Sequence, residues 1–319
     1  MLLSNIIKKK FDAVLGRYDG NPALYYFSPK DFPELKYESF NVQGDKGLLK
    51  GFFYYIDQFN ADKFIIFDHG IGAGHFAYLK EIMYLAKNGY TVYSYDHTGC
   101  VDSEGPGITG FGQGVCDLDH VITALKKDPR LIGKSIKLIG HSWGGYSSMN
   151  VARFHPEVTH IVSLAGFLSA KALSEQYMPK FVLKYSKEVM DRERQQNPNY
   201  ADLDARESLK KTNAKLFYTQ SKDDEMVKFD LATIPLKEAL TNRENTTFVT
   251  METRGHNPHY SDRAVAELAK MEAELDRLTK KNKLNTKEEQ EKFKASWNWN
   301  LIREQDDEMW SKILDFLEN

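Results

Sequence analysis

The chain has 319 residues, 41% of them hydrophobic and 28% charged, with a formal net charge of -2. That balance supplies apolar chain for a full core and excludes the basic excess that marks a nucleic-acid-binding protein or one held to an anionic membrane. The two cysteines, Cys100 and Cys116, are too few for a disulfide framework and are not spaced as a zinc site, so no metal is expected, and the expected home is a reducing compartment, the cytoplasm.

Leu2 to Phe11 places its lysines after a short apolar patch, the reverse of a secretory leader. The segment reads as an N-terminal helix packed on the domain, with a surface-seeking amphipathic helix as the alternative. No run approaches the length of a membrane span, so no stable membrane insertion is expected. Between Lys36 and Ile56, β-forming residues flank Gly44-Asp45-Lys46-Gly47, which predicts an antiparallel pair closed by a tight turn.

Lys63 to Asp68 is a continuous apolar strand of the kind buried on both faces, and Phe76 to Asn88 has helical spacing. Strand and helix then alternate: Tyr90–Tyr95, Val115–Lys127, Ile136–Gly140, Gly144–Phe154 and His160–Ala165. This rhythm predicts an α/β fold, a mostly parallel sheet covered by helices on both faces. It breaks between Leu168 and Asn213, where the sequence is helical in character and holds no strand, so residues 168–213 read as a cap inserted after the sixth strand. A strand returns at Ala214–Thr219, a helix at Phe229–Leu240, and a last strand at Thr246–Met251. Residues 259–297 read as a charged helical insertion, a solvated face, before a C-terminal helix built on Met309, Trp310, Ile313, Leu314 and Leu317. No linker divides the chain, so residues 1–319 are expected to form one domain with these two insertions.

Chemistry concentrates at Ser135–Tyr146, S-I-K-L-I-G-H-S-W-G-G-Y. A G-x-S-x-G between a strand and a helix presents the serine hydroxyl above the sheet on a strained turn, which makes Ser142 the candidate nucleophile. A serine needs a base, an acid that orients the base, and donors for the oxyanion. His256 follows the last strand in a Gly-His-Asn-Pro loop and is the candidate base, with His259 as its nearest rival. Asp223 and Asp224 lie past the end of the strand Ala214–Thr219, either of them placed to serve the histidine. The expected oxyanion donors are the backbone N–H groups of Trp143, after the nucleophile, and Ile71, after His69-Gly70.

His69–Tyr78 (H-G-I-G-A-G-H-F-A-Y), Asp96–Gly105 (D-H-T-G-C-V-D-S-E-G) and Gly140–Gly145 (G-H-S-W-G-G) resemble the signature stretches of the monoacylglycerol-lipase-like and serine-aminopeptidase-like α/β-hydrolases. Ser221–Val227 is similar to that family's G-x-x-D-x-x-V acid motif, and the resemblance selects Asp224 over Asp223. It implies an α/β-hydrolase fold with an eight-stranded sheet, the chain order Ser, Asp, His, and a serine hydrolase of carboxylic esters that uses no cofactor. Thr98, Cys100 and Val101 stand where the family usually has Arg, His and Gly. Tyr78, Tyr177, Phe181 and Tyr185 are expected to bind a small-molecule ester, because the 168–213 stretch is largely apolar and aromatic. Three other functions compete. One is a peptidase on the same triad, and another is a non-catalytic binding protein on the same fold. The third is a nicotinamide-dependent oxidoreductase, suggested by Gly72-Ala73-Gly74-His75-Phe76-Ala77 with Asp96 about twenty residues on.

Overall fold

The computed structural model describes residues 15–319; the helix expected over Leu2–Phe11 lies outside them. Among the described residues ten strands run β1 (Lys36–Ser39), β2 (Val42–Gln43), β3 (Leu48–Leu49), β4 (Gly51–Tyr55), β5 (Phe64–Asp68), β6 (Thr91–Tyr95), β7 (Ile136–His141), β8 (Val158–Leu164), β9 (Lys215–Ser221) and β10 (Thr246–Met251). Eight of them form one sheet in the order β1-β4-β6-β5-β7-β8-β9-β10, while β2 and β3 pair separately. Only β1–β4 and β4–β6 are antiparallel in the large sheet; every pairing from β6 to β10 is parallel. The turn between β2 and β3 closes with Gly44 N–H on Gly47 O, as the Gly-Asp-Lys-Gly run predicts.

The continuous apolar strands are buried on both faces, and the two faces feed two separate cores. Phe64, Ile66, Leu138, Ile161 and Leu216 point to one side, where they meet helices α2 (Gly112–Leu125), α3 (Trp143–Val151) and α7 (Phe229–Ala239). Their alternates Ile65, Phe67, Ile139, Val162 and Phe217 point to the other, against α1 (Leu79–Lys87) and the C-terminal helix α11 (Asp307–Glu318). Period-two side-chain direction sorts the residues in this way. Each fully buried aliphatic or aromatic side chain contributes about 1.5–3 kcal/mol of transfer free energy.

Between β8 and β9 the regular elements are helical: α4 (Ala170–Gln176), a 3₁₀ segment Lys180–Tyr185, α5 (Ser186–Gln196) and α6 (Ala205–Leu209). Helix α5 stops at Asn197-Pro198, where proline denies its predecessor the helical conformation. Glu193 and Lys46 are among the groups that fasten this stretch to the sheet domain. Buried Glu193 accepts from Gly112 N–H at 2.7 Å and Phe111 N–H at 3.1 Å, supplying the N-terminal amides of α2 with acceptors. Lys46, on the β2–β3 turn, donates to Thr109 Oγ1 at 3.0 Å and Asn197 Oδ1 at 3.2 Å.

After β10 come α8 (Asp262–Lys280), α9 (Lys287–Ala295) and α10 (Trp299–Ile302). The outer face of α8 carries pairs such as Glu274–Arg277 and Asp276–Lys280, the solvated face read from the sequence. Its inner face, with Met271, joins Phe293, Trp299 and Ile302 in the core beside α1 and α11. Among the described residues no helix is long and apolar enough to cross a membrane.

Candidate active site

β7 runs through the middle of the sheet and delivers Ser142 at its C-terminal end, the edge at which open α/β sheets bind ligands. Ser142 has φ 54° and ψ -110°, a left-handed conformation costing on the order of 1–3 kcal/mol for a residue with a side chain. The strain is held by Ser142 N–H on Leu164 O at 2.8 Å and Tyr146 N–H on Ser142 O at 3.0 Å. The flanking glycines are steric necessities. A Cβ on Gly144 would stand 2.0 Å from Asp68 O of the neighbouring strand, and one on Gly140 would stand 2.2 Å from Gly144 O.

His256 lies in the loop after β10, with Nδ1 2.9 Å from Asp224 Oδ2 and 3.1 Å from Oδ1. Asp224 is buried, and its carboxylate is also bonded by Met226 N–H at 2.9 Å, Val227 N–H at 3.0 Å and Gln220 Nε2 at 3.2 Å. A carboxylate with four donors is fixed in place, and it selects the histidine tautomer with the proton on Nδ1, leaving Nε2 as the basic nitrogen. Asp223 points elsewhere: its Oδ1 accepts from Gly255 N–H at 2.9 Å and Ser221 Oγ at 2.5 Å, which ties the two loops together. Glu225 is exposed.

His141, immediately before Ser142, joins the nucleophile turn to the histidine loop. Tyr78 hydroxyl accepts from Gly70 N–H at 3.1 Å and donates to His141 Nδ1 at 2.8 Å, so His141 carries its proton on Nε2 and donates it to His256 O at 2.8 Å. The rings of His141 and His256 are 4.8 Å apart. Burial holds the His141 pKa well below the usual value, and the neighbouring His256 and His259 add to that, so the ring stays neutral.

The same logic fixes the peptide after Gly70. His69 Nε2 accepts from His97 N–H at 2.9 Å, which puts its proton on Nδ1, and Nδ1 donates to Gly70 O at 2.6 Å. Burial pushes the His69 pKa down to about 3, so this donor keeps its form through the physiological range. With Gly70 C=O held, the planar trans peptide turns Ile71 N–H the opposite way. Trp143 N–H, at the start of α3, has no intrahelical acceptor by position.

Beneath this lies a layer of buried charge. His97 sits between Asp68, in an ion pair 2.7 Å long that is off the hydrogen-bonding line, and Asp117, 3.2 Å away, with its ring 4.4 Å from that of Trp143. Burial alone would lower the His97 pKa, but the two carboxylates outweigh it and hold it up at about 9. Unfolded histidine releases its proton near pH 6.5. The stability His97 contributes is therefore fully present below about pH 6.5 and is lost as pH rises through about 9. The thermal midpoint should fall between pH 7 and pH 9.5 and the Asp68→Asn variant should show a shallower fall; equal slopes in the two proteins would contradict the assignment.

Several residues stand differently from the sequence reading. Tyr78 is buried with its hydroxyl committed to Gly70 and His141, so it belongs to the scaffold of the turn and not to the substrate pocket. Tyr177 and Phe181 are 56% and 72% exposed, and Tyr185 is half-buried beneath Lys184. Tyr177 donates to Met226 O at 2.7 Å, which brings the helical stretch onto the loop of Asp224. Leu168, Leu173 and Val182 are buried and pack that stretch down. His259 is buried with Nε2 3.3 Å from Glu81, away from Asp224's carboxylate. Asp96, the candidate ribose acid, accepts His75 N–H at 2.9 Å and pairs with His75 Nδ1 at 2.8 Å, and a Cβ on Gly74 would overlap it. The Gly72–Gly74 stretch and Asp96 are thus spent on each other. Thr98 donates its hydroxyl to Asp117 at 2.8 Å, and Val101 occupies a left-handed φ of 44° where the family usually has glycine.

A family model described as serine aminopeptidase, S33, matches residues 60–243, more than half of the chain. No curated protein matches it significantly. Among solved structures, an esterase from Pyrococcus furiosus aligns at a TM-score of 0.59 and 16% identity, covering 83% of this chain and 98% of its own. The α/β-hydrolase GrgF from Penicillium sp. sh18 aligns at 0.55 and 16%, covering 77% and 98%. The acylaminoacyl peptidase of Pyrococcus horikoshii aligns at 0.56 and 19%, covering 71% of this chain and 38% of its own. At such identities the likeness is one of fold. Together with the family match, it establishes that the chain is an α/β-hydrolase of the serine aminopeptidase S33 family.

Proposed function

We propose that the protein is a serine hydrolase that cleaves small carboxylic esters through an acyl-enzyme. The observation that carries this reading is the 2.9 Å contact of His256 Nδ1 with buried Asp224, in a loop that His141 ties to the left-handed strand-to-helix turn of Ser142. Ser142 Oγ attacks the ester carbonyl carbon while His256 Nε2 takes its proton. The carbonyl oxygen becomes an oxyanion that accepts from Ile71 N–H and Trp143 N–H. As the intermediate collapses, His256 returns the proton to the departing alkoxide, leaving the acyl group on Ser142. Water then repeats the sequence, with His256 as base, and releases the acid.

Residues 168–213 act as a cap over this site. Exposed Tyr177, bonded to the Asp224 loop, and exposed Phe181 on the same helical stretch support an acyl or aryl chain as the group recognised. Replacing Phe181 and Tyr185 by Ala should lower the ratio of octanoate to acetate efficiency on p-nitrophenyl esters by about tenfold, the scale of a few lost methylene contacts. An equal loss on both esters would mean that the cap serves stability and not selection.

The family description and the P. horikoshii neighbour favour one second reading, a peptidase on the same residues. Turnover of p-nitrophenyl esters against aminoacyl p-nitroanilides separates the two, and a higher kcat/KM on the anilides would replace the esterase reading. The charge balance fits a soluble, cytoplasmic enzyme of small molecules, with no nucleic-acid partner.

A further inference from the structure

The loop that carries His256 begins on β10, an edge strand paired only with β9 and half-exposed along most of its length. A sheet edge does not by itself hold a side chain to the fraction of an ångström that proton transfer needs. On the sheet side the loop is tethered by Arg254 N–H on Ser221 Oγ at 2.8 Å, Gly255 N–H on Asp223 Oδ1 and His141 Nε2 on His256 O. On the far side the fastening combines a guanidinium with backbone bonds. Arg254, largely buried, sets Nη2 2.8 Å from Asp306 Oδ2 and Nε 3.0 Å from Asp262 Oδ1, and donates through Nη1 to Tyr260 O.

Those three acceptors come from three places: the end of the histidine loop itself, the first turn of α8, and the N-cap of α11. The Asp306 carboxylate is shielded and also caps α11 by accepting from Met309 N–H at 2.8 Å. Backbone bonds run in parallel, with Asp306 N–H on His259 O at 2.9 Å and Ser261 N–H on Glu304 O at 3.0 Å. The planar fork of arginine can meet all three acceptors at once, which the point charge of lysine cannot.

We infer that Arg254 is a positioning residue for His256, and that the helices after β10 set the place of the catalytic base through it. This rests on the Ser142–His256–Asp224 reading. Deleting the guanidinium removes the side-chain fastening that joins the loop to α8 and α11, while Asp306 keeps its N-cap bond, the backbone bonds persist and the Asp224 contact remains within reach. The consequence is a His256 that samples positions away from Ser142, seen as lost kcat at unchanged substrate binding.

The test measures p-nitrophenyl acetate turnover and fluorophosphonate labelling rate for wild type, Arg254→Ala, Arg254→Lys, Asp306→Asn and Ser142→Ala, with thermal midpoints for each. Arg254→Ala should lose roughly 10- to 100-fold in kcat with KM within about twofold, the scale of a misplacement near 1 Å. Millimolar guanidinium should restore part of the loss, Arg254→Lys should fall between alanine and wild type, and Asp306→Asn should lose a smaller factor with KM unchanged. A kcat within twofold of wild type in Arg254→Ala, or a loss that follows the fraction folded and is not restored by guanidinium, would overturn the inference. If Arg254→Ala does not fold, Arg254→Lys decides, and an unchanged kcat there overturns it equally. Activity surviving in Ser142→Ala would instead remove the reading on which the inference rests.

Discussion

Ser142→Ala is expected to abolish fluorophosphonate labelling and to lower kcat for p-nitrophenyl acetate by on the order of a millionfold, the loss seen when the nucleophile of a serine triad is removed. The folded state should be nearly indifferent. The Ser142 side chain is half-buried and packs no core, and alanine at φ 54° carries the same backbone strain as serine. The proposed oxyanion donors, Ile71 N–H and Trp143 N–H, remain, so a small residual rate over water is expected from them. Near wild-type turnover in a folded Ser142→Ala protein would remove Ser142 as nucleophile.

Asp224→Asn should lose on the order of ten-thousandfold in kcat, for a reason visible in the hydrogen bonds. Asp224 Oδ1 accepts from Met226 and Val227 N–H, so an asparagine keeps its oxygen there and turns its amide toward His256 Nδ1. A donor facing Nδ1 drives the proton to Nε2, the nitrogen that has to accept one from Ser142. Asp223→Asn is the matched control. Its Oδ1 accepts from Gly255 N–H and Ser221 Oγ, and an amide oxygen can accept both, so less than about tenfold should be lost. Comparison of kcat and thermal midpoint for the two variants checks this, and the reverse ranking would move the acid to Asp223.

Which parts of the molecule could be read from the sequence follows from the range of the interactions involved. Strands such as Phe64–Asp68 and Ile136–His141 appear where the apolar runs place them, because burial on both faces leaves a local signature. The turn at Ser142 is equally local, since Gly140, Ser142 and Gly144 are a few residues apart and a Cβ on Gly140 would collide with Gly144. The role of Tyr78 is not legible in the sequence, because helical spacing reports that a ring is buried but not what its hydroxyl reaches, here Gly70 and His141, the latter 63 residues away. His97, flanked by Asp68 and Asp117, and Arg254, bonded to Asp306, are pairings across the fold with no short-range pattern to announce them. Asp96 shows the converse: a glycine run followed by an acid fits a ribose-binding pattern locally, yet His75 occupies that carboxylate.

The most direct test of the account is to treat the protein with a fluorophosphonate and locate the adduct by peptide mass spectrometry. The account predicts one equivalent of adduct, on Ser142, with none formed by the Ser142→Ala protein and labelling slowed by several orders of magnitude in Asp224→Asn. An adduct on another residue, or none from a folded protein that still hydrolyses esters, would contradict it.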